Sequence, residues 1–214
     1  MTTGMFNLPN CITLTRIFCV IVFTCALAWD AAAPAAAAIT PEFGGMLVPL
    51  STARCIAFWA FVLGAISDFF DGYLARRLNQ VTNFGKLIDP LADKILVSAA
   101  YIYLTEMHLC PFWVTIIIIF REFLVTGIRQ LAVAQGYVMA ADWCGKWKTG
   151  FQLAYSIDCL LLLAYGGNLF FPLPDLLFGG IGEGLRAAFL WISLILTLWS
   201  GANYCFQARR FIRG

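Results

Sequence analysis

Histidine is almost missing from this chain, with His108 the one instance in 214 residues, and none of the eight cysteines forms a Cys-x-x-Cys pair. Zinc chemistry therefore lacks its usual clustered ligands, and the cysteines, scattered through apolar runs, read as small buried hydrophobes. Charge is scarce too. Only 12% of residues are charged against 61% hydrophobic, and the mean hydropathy is +0.82. A chain so apolar cannot cover itself with a polar surface, which places it in the membrane class. The net charge of +2 leaves no electrostatic footprint for nucleic acid. Internal repeats are absent, and the alanine run from Ala31 to Ala38 reads as loop filler. No small-residue cleavage site follows the first apolar run at convincing spacing, so that run reads as a retained span.

A bilayer core of roughly 30 Å takes about 20 helical residues to cross. Six stretches qualify: 13–28, 51–78, 86–107, 112–135, 147–166 and 185–209. Pro34, Pro41, Gly44, Gly45 and Pro49 mark an irregular connection after the first, and a Gly/Pro-rich loop at 167–184 separates the last two. The sequence therefore predicts an all-α integral membrane protein, residues 1–214 forming one domain of six transmembrane helices. Orientation follows from the basic residues. Arg76, Arg77, Lys86, Lys146, Lys148, Arg209, Arg210 and Arg213, with Arg16 near the amino end, fall on one side; Arg54 and Arg186 lie near span ends on the other. By the positive-inside rule both termini are cytoplasmic.

Asp68, Arg121, Asp93 and Arg129 interrupt apolar runs at a cost of several kcal/mol each by insertion scales, so each needs a partner or a task. Four aspartates cluster in the order Asp68, Asp71, Asp89, Asp93. The first two are spaced i,i+3 and the last two i,i+4, which puts each pair on one helix face. Spans two and three are antiparallel through a turn near Val81. Counted from helix ends near Leu78 and Lys86, Asp68 lies on the order of 15 Å and Asp93 about 10 Å inside the surface. Facing carboxylates in one layer supply hard oxygen ligands for Mg²⁺, Mn²⁺ or Ca²⁺, and two such ions roughly 3.5 to 4 Å apart suit a phosphoryl displacement. Gly72, Ala75 and Gly85 leave room for a flat ligand, Arg76 can reach phosphate oxygens, and Pro90 suggests a helix starting or re-starting there.

The pattern Asp68-x-x-Asp71-Gly72-x-x-Ala75-Arg76, eight residues, Gly85-x-x-x-Asp89-x-x-x-Asp93 resembles the signature of the CDP-alcohol phosphatidyltransferases and fills every position. The resemblance implies a six-helix homodimeric membrane enzyme that uses two Mg²⁺ or Mn²⁺ ions to move a phosphatidyl group from CDP-diacylglycerol to an alcohol, releasing CMP. It implies that Asp68, Asp71, Asp89 and Asp93 hold the metals, that Asp93 is the general base, and that Gly72, Ala75, Arg76 and Gly85 contact the cytidine diphosphate.

The alcohol is a separate question. Arg121-Glu122-Phe-Leu-Val-Thr-Gly-Ile-Arg129 places two cations about 80° apart on a helical wheel, and Gly145-Lys146-Trp147-Lys148-Thr149 adds two more. Glu122 can neutralise at most one of them, so a mobile phosphate is the missing partner. These segments, and Leu8-Pro9-Asn10-Cys-Ile-Thr13-Leu-Thr-Arg16, are similar to a bacterial branch of the family that uses glycerol 3-phosphate. That likeness implies a place in the bacterial inner membrane, an active site facing the cytoplasm, an acceptor phosphate held by Arg121, Arg129, Lys146 and Lys148, and a pyrophosphate assisted by Asn10 and Thr13. Family members acting on inositol phosphate, serine or phosphatidylglycerol would keep the aspartates with another acceptor pocket. A divalent-cation transporter could use membrane carboxylates without chemistry, but it has no need of Gly72, Ala75 and Arg76 in fixed order.

Overall fold

The computed structural model describes the backbone of residues 8–32, 38–39, 42–43, 46–47, 50–78, 83–134, 136, 143–165 and 181–212, together with the turn at 107–111, and the side chains of 14–32, 51–67, 94–133, 136, 143–165 and 182–209. Six helices occupy the six expected stretches: α1 (Leu8–Ala32), α2 (Thr52–Leu78), α3 (Asn83–Glu106), α4 (Phe112–Ala134), α5 (Trp143–Tyr165) and α6 (Ile181–Ile212). Their ends differ from expectation in ways that matter later. α1 starts at Leu8 because Pro9 is tolerated in a first turn, where a backbone N–H has no helical partner anyway. α5 starts at Trp143, four residues before the expected 147. Pro90 does not begin a helix: α3 is continuous from Asn83 through it, although a proline there has no N–H to give the Lys86 carbonyl.

The connection after α1 is more regular than its prolines and glycines suggest. β1 (Ala38–Ile39) pairs antiparallel with β4 (Leu50–Ser51), and β2 (Glu42–Phe43) with β3 (Met46–Leu47). The register Phe43↔Met46 leaves the sequence Gly44-Gly45 between the inner strands, a pair suited to two-residue hairpin loops.

α1 packs along α2 and also meets α3; α5 lies between α2 and α6; α4 rests on α6 and α3. Phe23, Phe61, Ala100, Leu104, Val114 and Tyr155 sit at the centre of the resulting core. Around this apolar core the bundle differs from a water-soluble one in burying several polar side chains and turning large apolar ones outward. Gln152, Ser156, Ser193 and Thr197 are buried, with Gln152 Nε2 donating to Thr197 Oγ1 at 3.3 Å, whereas Phe18, Phe112, Phe120, Trp191 and Trp199 point outward. Such an arrangement buries groups that hydrocarbon would leave unsatisfied and offers the bilayer what it solvates well. Among the described residues, Leu14–Ala32 and Gly182–Arg209 are each long and apolar enough to cross a membrane, while the apolar part of α2 is shorter, at Thr52–Ser67.

Two ion pairs mark the end of the bundle away from the α2–α3 connection. Arg54 Nε lies 2.8 Å from Asp30 Oδ2 while Ser51 Oγ donates to Asp30 Oδ1, joining the end of α1 to the start of α2. Arg186 Nη1 lies 3.7 Å from Asp158 Oδ2, joining α6 to α5. Neither aspartate was singled out by sequence spacing. Between α3 and α4, His108 adopts a left-handed φ of 59°, and the N–H groups of Leu109 and Cys110 both reach back to the Leu104 carbonyl. His108 thus caps a helix, a conformation in which histidine is enriched among non-glycine residues. Burial pushes the neighbouring Cys110 thiol up, away from reactive thiolate character. Gly136 (φ 76°) plays the matching role after α4. Of the cysteines, Cys19, Cys110 and Cys159 are buried as expected, whereas Cys25 and Cys205 are exposed.

Candidate active site

The aspartate signature falls on two unbroken helices. Residues 68, 71, 72, 75 and 76 occupy the second half of α2, and 85, 89 and 93 the first half of α3. Their side chains lie outside the described residues, as do those of Asn10 and Thr13 near the start of α1. Helix bounds alone carry one correction. Because α3 begins at Asn83 and not near Lys86, Asp68 and Asp93 are both ten residues from the facing ends of their helices, about 15 Å along each axis. Asp71 and Asp89 form a second, shallower level, seven and six residues in. The donor set on these turns is purely carboxylate, which suits hard divalent ions and no soft metal. Among the described residues no group of three or more histidine, cysteine, aspartate or glutamate side chains gathers elsewhere.

Next to this level the described side chains form a second, cationic centre. Glu122, 5% exposed, accepts a hydrogen bond from Lys148 of α5 and one at 3.2 Å from Arg121 Nη1 of its own helix, and its other oxygen lies 3.4 Å from Lys94 Nζ of α3. Arg121, 7% exposed, also donates through Nη2 to Ser200 Oγ of α6. Its Nε is buried without a partner. Gly201 makes that approach possible: a Cβ there would stand 3.1 Å from Arg121 Cγ. Among the described residues one carboxylate faces two buried cations, Arg121 and Lys148, and can offset at most one of them, which leaves positive charge in a place where charge is costly.

The four expected phosphate ligands do not form one pocket. Arg121 and Lys148 meet at Glu122. Arg129, eight residues and about 12 Å further along α4, donates to the Tyr204 hydroxyl and stacks over its ring at 4.9 Å. Lys146 is exposed. The reason is the early start of α5, which makes Lys146 and Lys148 helical residues two apart and hence about 200° apart around the axis. Conversely, Lys94 and Ser200 belong to the centre and Tyr204 receives Arg129, and none of the three carried a sequence signal as an acceptor contact. Lys94 follows Asp93 directly, and Ser200 and Tyr204 share a face of α6 at i,i+4, but only packing shows what they meet. Arg16 is also not a simple flanking charge; it is buried within α1.

Residues 6–199 match the profile of a family described as CDP-alcohol phosphatidyltransferase. The chain belongs to that family. CDP-alcohol phosphatidyltransferases are generally divalent-metal dependent, in keeping with the carboxylate donor set on α2 and α3. Relatives extend over nearly the whole length. The CDP-diacylglycerol–glycerol-3-phosphate 3-phosphatidyltransferase of Bacillus subtilis is 41% identical over 204 residues, 94% of each chain. Enzymes of the same name from Rickettsia bellii and Salmonella choleraesuis are 32% and 33% identical, covering 96% and 95% of this chain and 97% and 96% of their own lengths.

Proposed function

We propose that this phosphatidyltransferase moves the phosphatidyl group of CDP-diacylglycerol to glycerol 3-phosphate, giving phosphatidylglycerol phosphate and CMP. The observation that carries the acceptor is the buried Arg121, with its unpartnered Nε, sharing Glu122 with Lys148 and with Lys94, the residue that follows Asp93. A phosphate dianion is the group such a pocket lacks. The names and full-length coverage of the relatives support the same acceptor.

In this reading Asp68, Asp71, Asp89 and Asp93 hold two Mg²⁺ or Mn²⁺ ions. When bound, these supply Lewis-acid polarisation of the diphosphate and offset the charge that develops on departing CMP. Gly72, Ala75, Arg76 and Gly85, with Asn10 and Thr13, receive the cytidine diphosphate. Arg121 and Lys148 hold the acceptor phosphate, Arg129 borders it toward α6, and exposed Lys146 draws the anion in. The glycerol hydroxyl gives its proton to Asp93 as its oxygen bonds to the β-phosphorus; the bond from that phosphorus to the oxygen of CMP breaks, and CMP leaves in line.

The same reading makes residues 1–214 one domain of six membrane-crossing helices in the bacterial inner membrane, a homodimer with both termini and the active site on the cytoplasmic side. Its support is the skew of lysine and arginine between the two sides and the outward-facing aromatic side chains.

Purified protein incubated with CDP-diacylglycerol and labelled glycerol 3-phosphate should release CMP and form labelled lipid, whereas inositol phosphate, serine and phosphatidylglycerol should not substitute. Transfer to one of those in place of glycerol 3-phosphate would overturn the assignment. Arg121→Gln should raise KM for glycerol 3-phosphate by about 10- to 100-fold, the worth of one or two charge-assisted hydrogen bonds, with KM for CDP-diacylglycerol unchanged. Gly201→Ala should act in the same direction but by only several-fold, since the guanidinium stem must give by a few tenths of an ångström. Equal KM values in wild type and Gly201→Ala would show that the close approach of α6 is immaterial.

A further inference from the structure

We propose that Glu122 is the positioning residue of the acceptor pocket, and that Lys94 is the contact through which it aligns that pocket with the helix carrying Asp93. This inference rests on the glycerol 3-phosphate reading above. A carboxylate is an odd component for an anion pocket. It repels the phosphate, and without it Arg121 and Lys148 would offer more positive charge to the same ligand. Affinity therefore does not account for Glu122, but geometry does.

Both of its oxygens are engaged. Oε1 takes Lys148 of α5 and Arg121 of α4, and Oε2 faces Lys94 of α3 at 3.4 Å. Arg121 adds α6 through Ser200. Glu122 thus ties three helices together, and with Arg121 a fourth, at the level of the acceptor contacts. Lys94 makes this consequential because it immediately follows Asp93. Adjacent helical residues are offset by about 1.5 Å and 100°, so any turn of α3 that opens the Lys94–Glu122 contact also carries residue 93 away from its place. Distance between the base and a phosphate seated on Arg121 and Lys148 is then set by this pair. A misplacement of about 1 Å at a reacting group costs on the order of 10²-fold in rate.

The test is a split between kcat and KM. Glu122→Gln keeps the shape and one accepting oxygen but removes the charge. It should lower kcat by about 10²-fold while KM for glycerol 3-phosphate stays the same or falls, and KM for CDP-diacylglycerol stays within about twofold of wild type. Lys94→Gln, at a side chain 23% exposed and so tolerant of change, should reproduce the loss in kcat. The double variant should lose no more than Glu122→Gln alone, because both act through one contact. If Glu122→Gln does not fold, Lys94→Gln decides by itself: kcat at the wild-type value overturns the proposal. So do a raised KM for glycerol 3-phosphate with kcat intact in Glu122→Gln, or losses that multiply in the double variant. Should the wild-type protein fail to use glycerol 3-phosphate yet act on another alcohol, the acceptor reading is what fails.

Discussion

Chelation of divalent cations stops phosphatidyl transfer outright, and Mg²⁺ or Mn²⁺ added back restores it. That is the expected result of incubating the purified protein with excess EDTA and following CMP release. Its basis is the pair of aspartate levels on α2 and α3, where two carboxylates sit about 15 Å along their helices from the connection and two more lie nearer to it. Like charges at such depth in an apolar bundle destabilise one another unless cations are interposed or protons are taken up, and neither a protonated nor an empty site can polarise a diphosphate. The loss should therefore be complete, and restoration should follow the hard-ion series, with Mg²⁺ and Mn²⁺ effective and soft ions ineffective. CMP formation that persists after thorough chelation would remove the metals from the mechanism.

Asp93→Asn has the second-largest effect, a fall in kcat of about 10²- to 10⁴-fold, the usual worth of a general base. Asparagine keeps an oxygen that can face a metal ion but cannot accept the hydroxyl proton. The two roles given to Asp93 separate when metal is varied. Asp68→Asn should weaken the apparent affinity for Mn²⁺ and recover part of its activity at high Mn²⁺, whereas Asp93→Asn should remain slow at saturating metal. Membrane insertion and yield should match wild type in both. Turnover of Asp93→Asn at the wild-type rate would strip that residue of its role as base.

Much of this protein is legible from short-range pattern, and the limit falls where short-range pattern ends. Six helices could be placed to within a few residues, apart from longer shifts at the starts of α1 and α5 and at the outer ends of α1 and α6, because apolar runs of the right length are a strong signal. The spacing of Asp68, Asp71, Asp89 and Asp93 could be converted into faces and levels from the 3.6-residue period alone. Helix starts were harder. Proline is ambiguous between a first turn and an interior position, so Pro90 misled, and the start of α5 at Trp143 turned Lys146 away from Lys148. The partners of buried charges were least visible of all. Arg121 and Glu122 announce themselves by position, but that Glu122 also meets Lys94 and Lys148, and that Ser200 and Tyr204 receive Arg121 and Arg129, depends on which helices adjoin. No local periodicity encodes that.

The contact between Asp30 and Arg54 bears on how the molecule is made. The two residues flank the short β connection, so they become neighbours as soon as α1 and α2 lie side by side. A lone aspartate or arginine resists passage through hydrocarbon by several kcal/mol. Joined to each other, Asp30 and Arg54 cancel as a pair, so neither leaves an uncompensated charge where α1 gives way to α2.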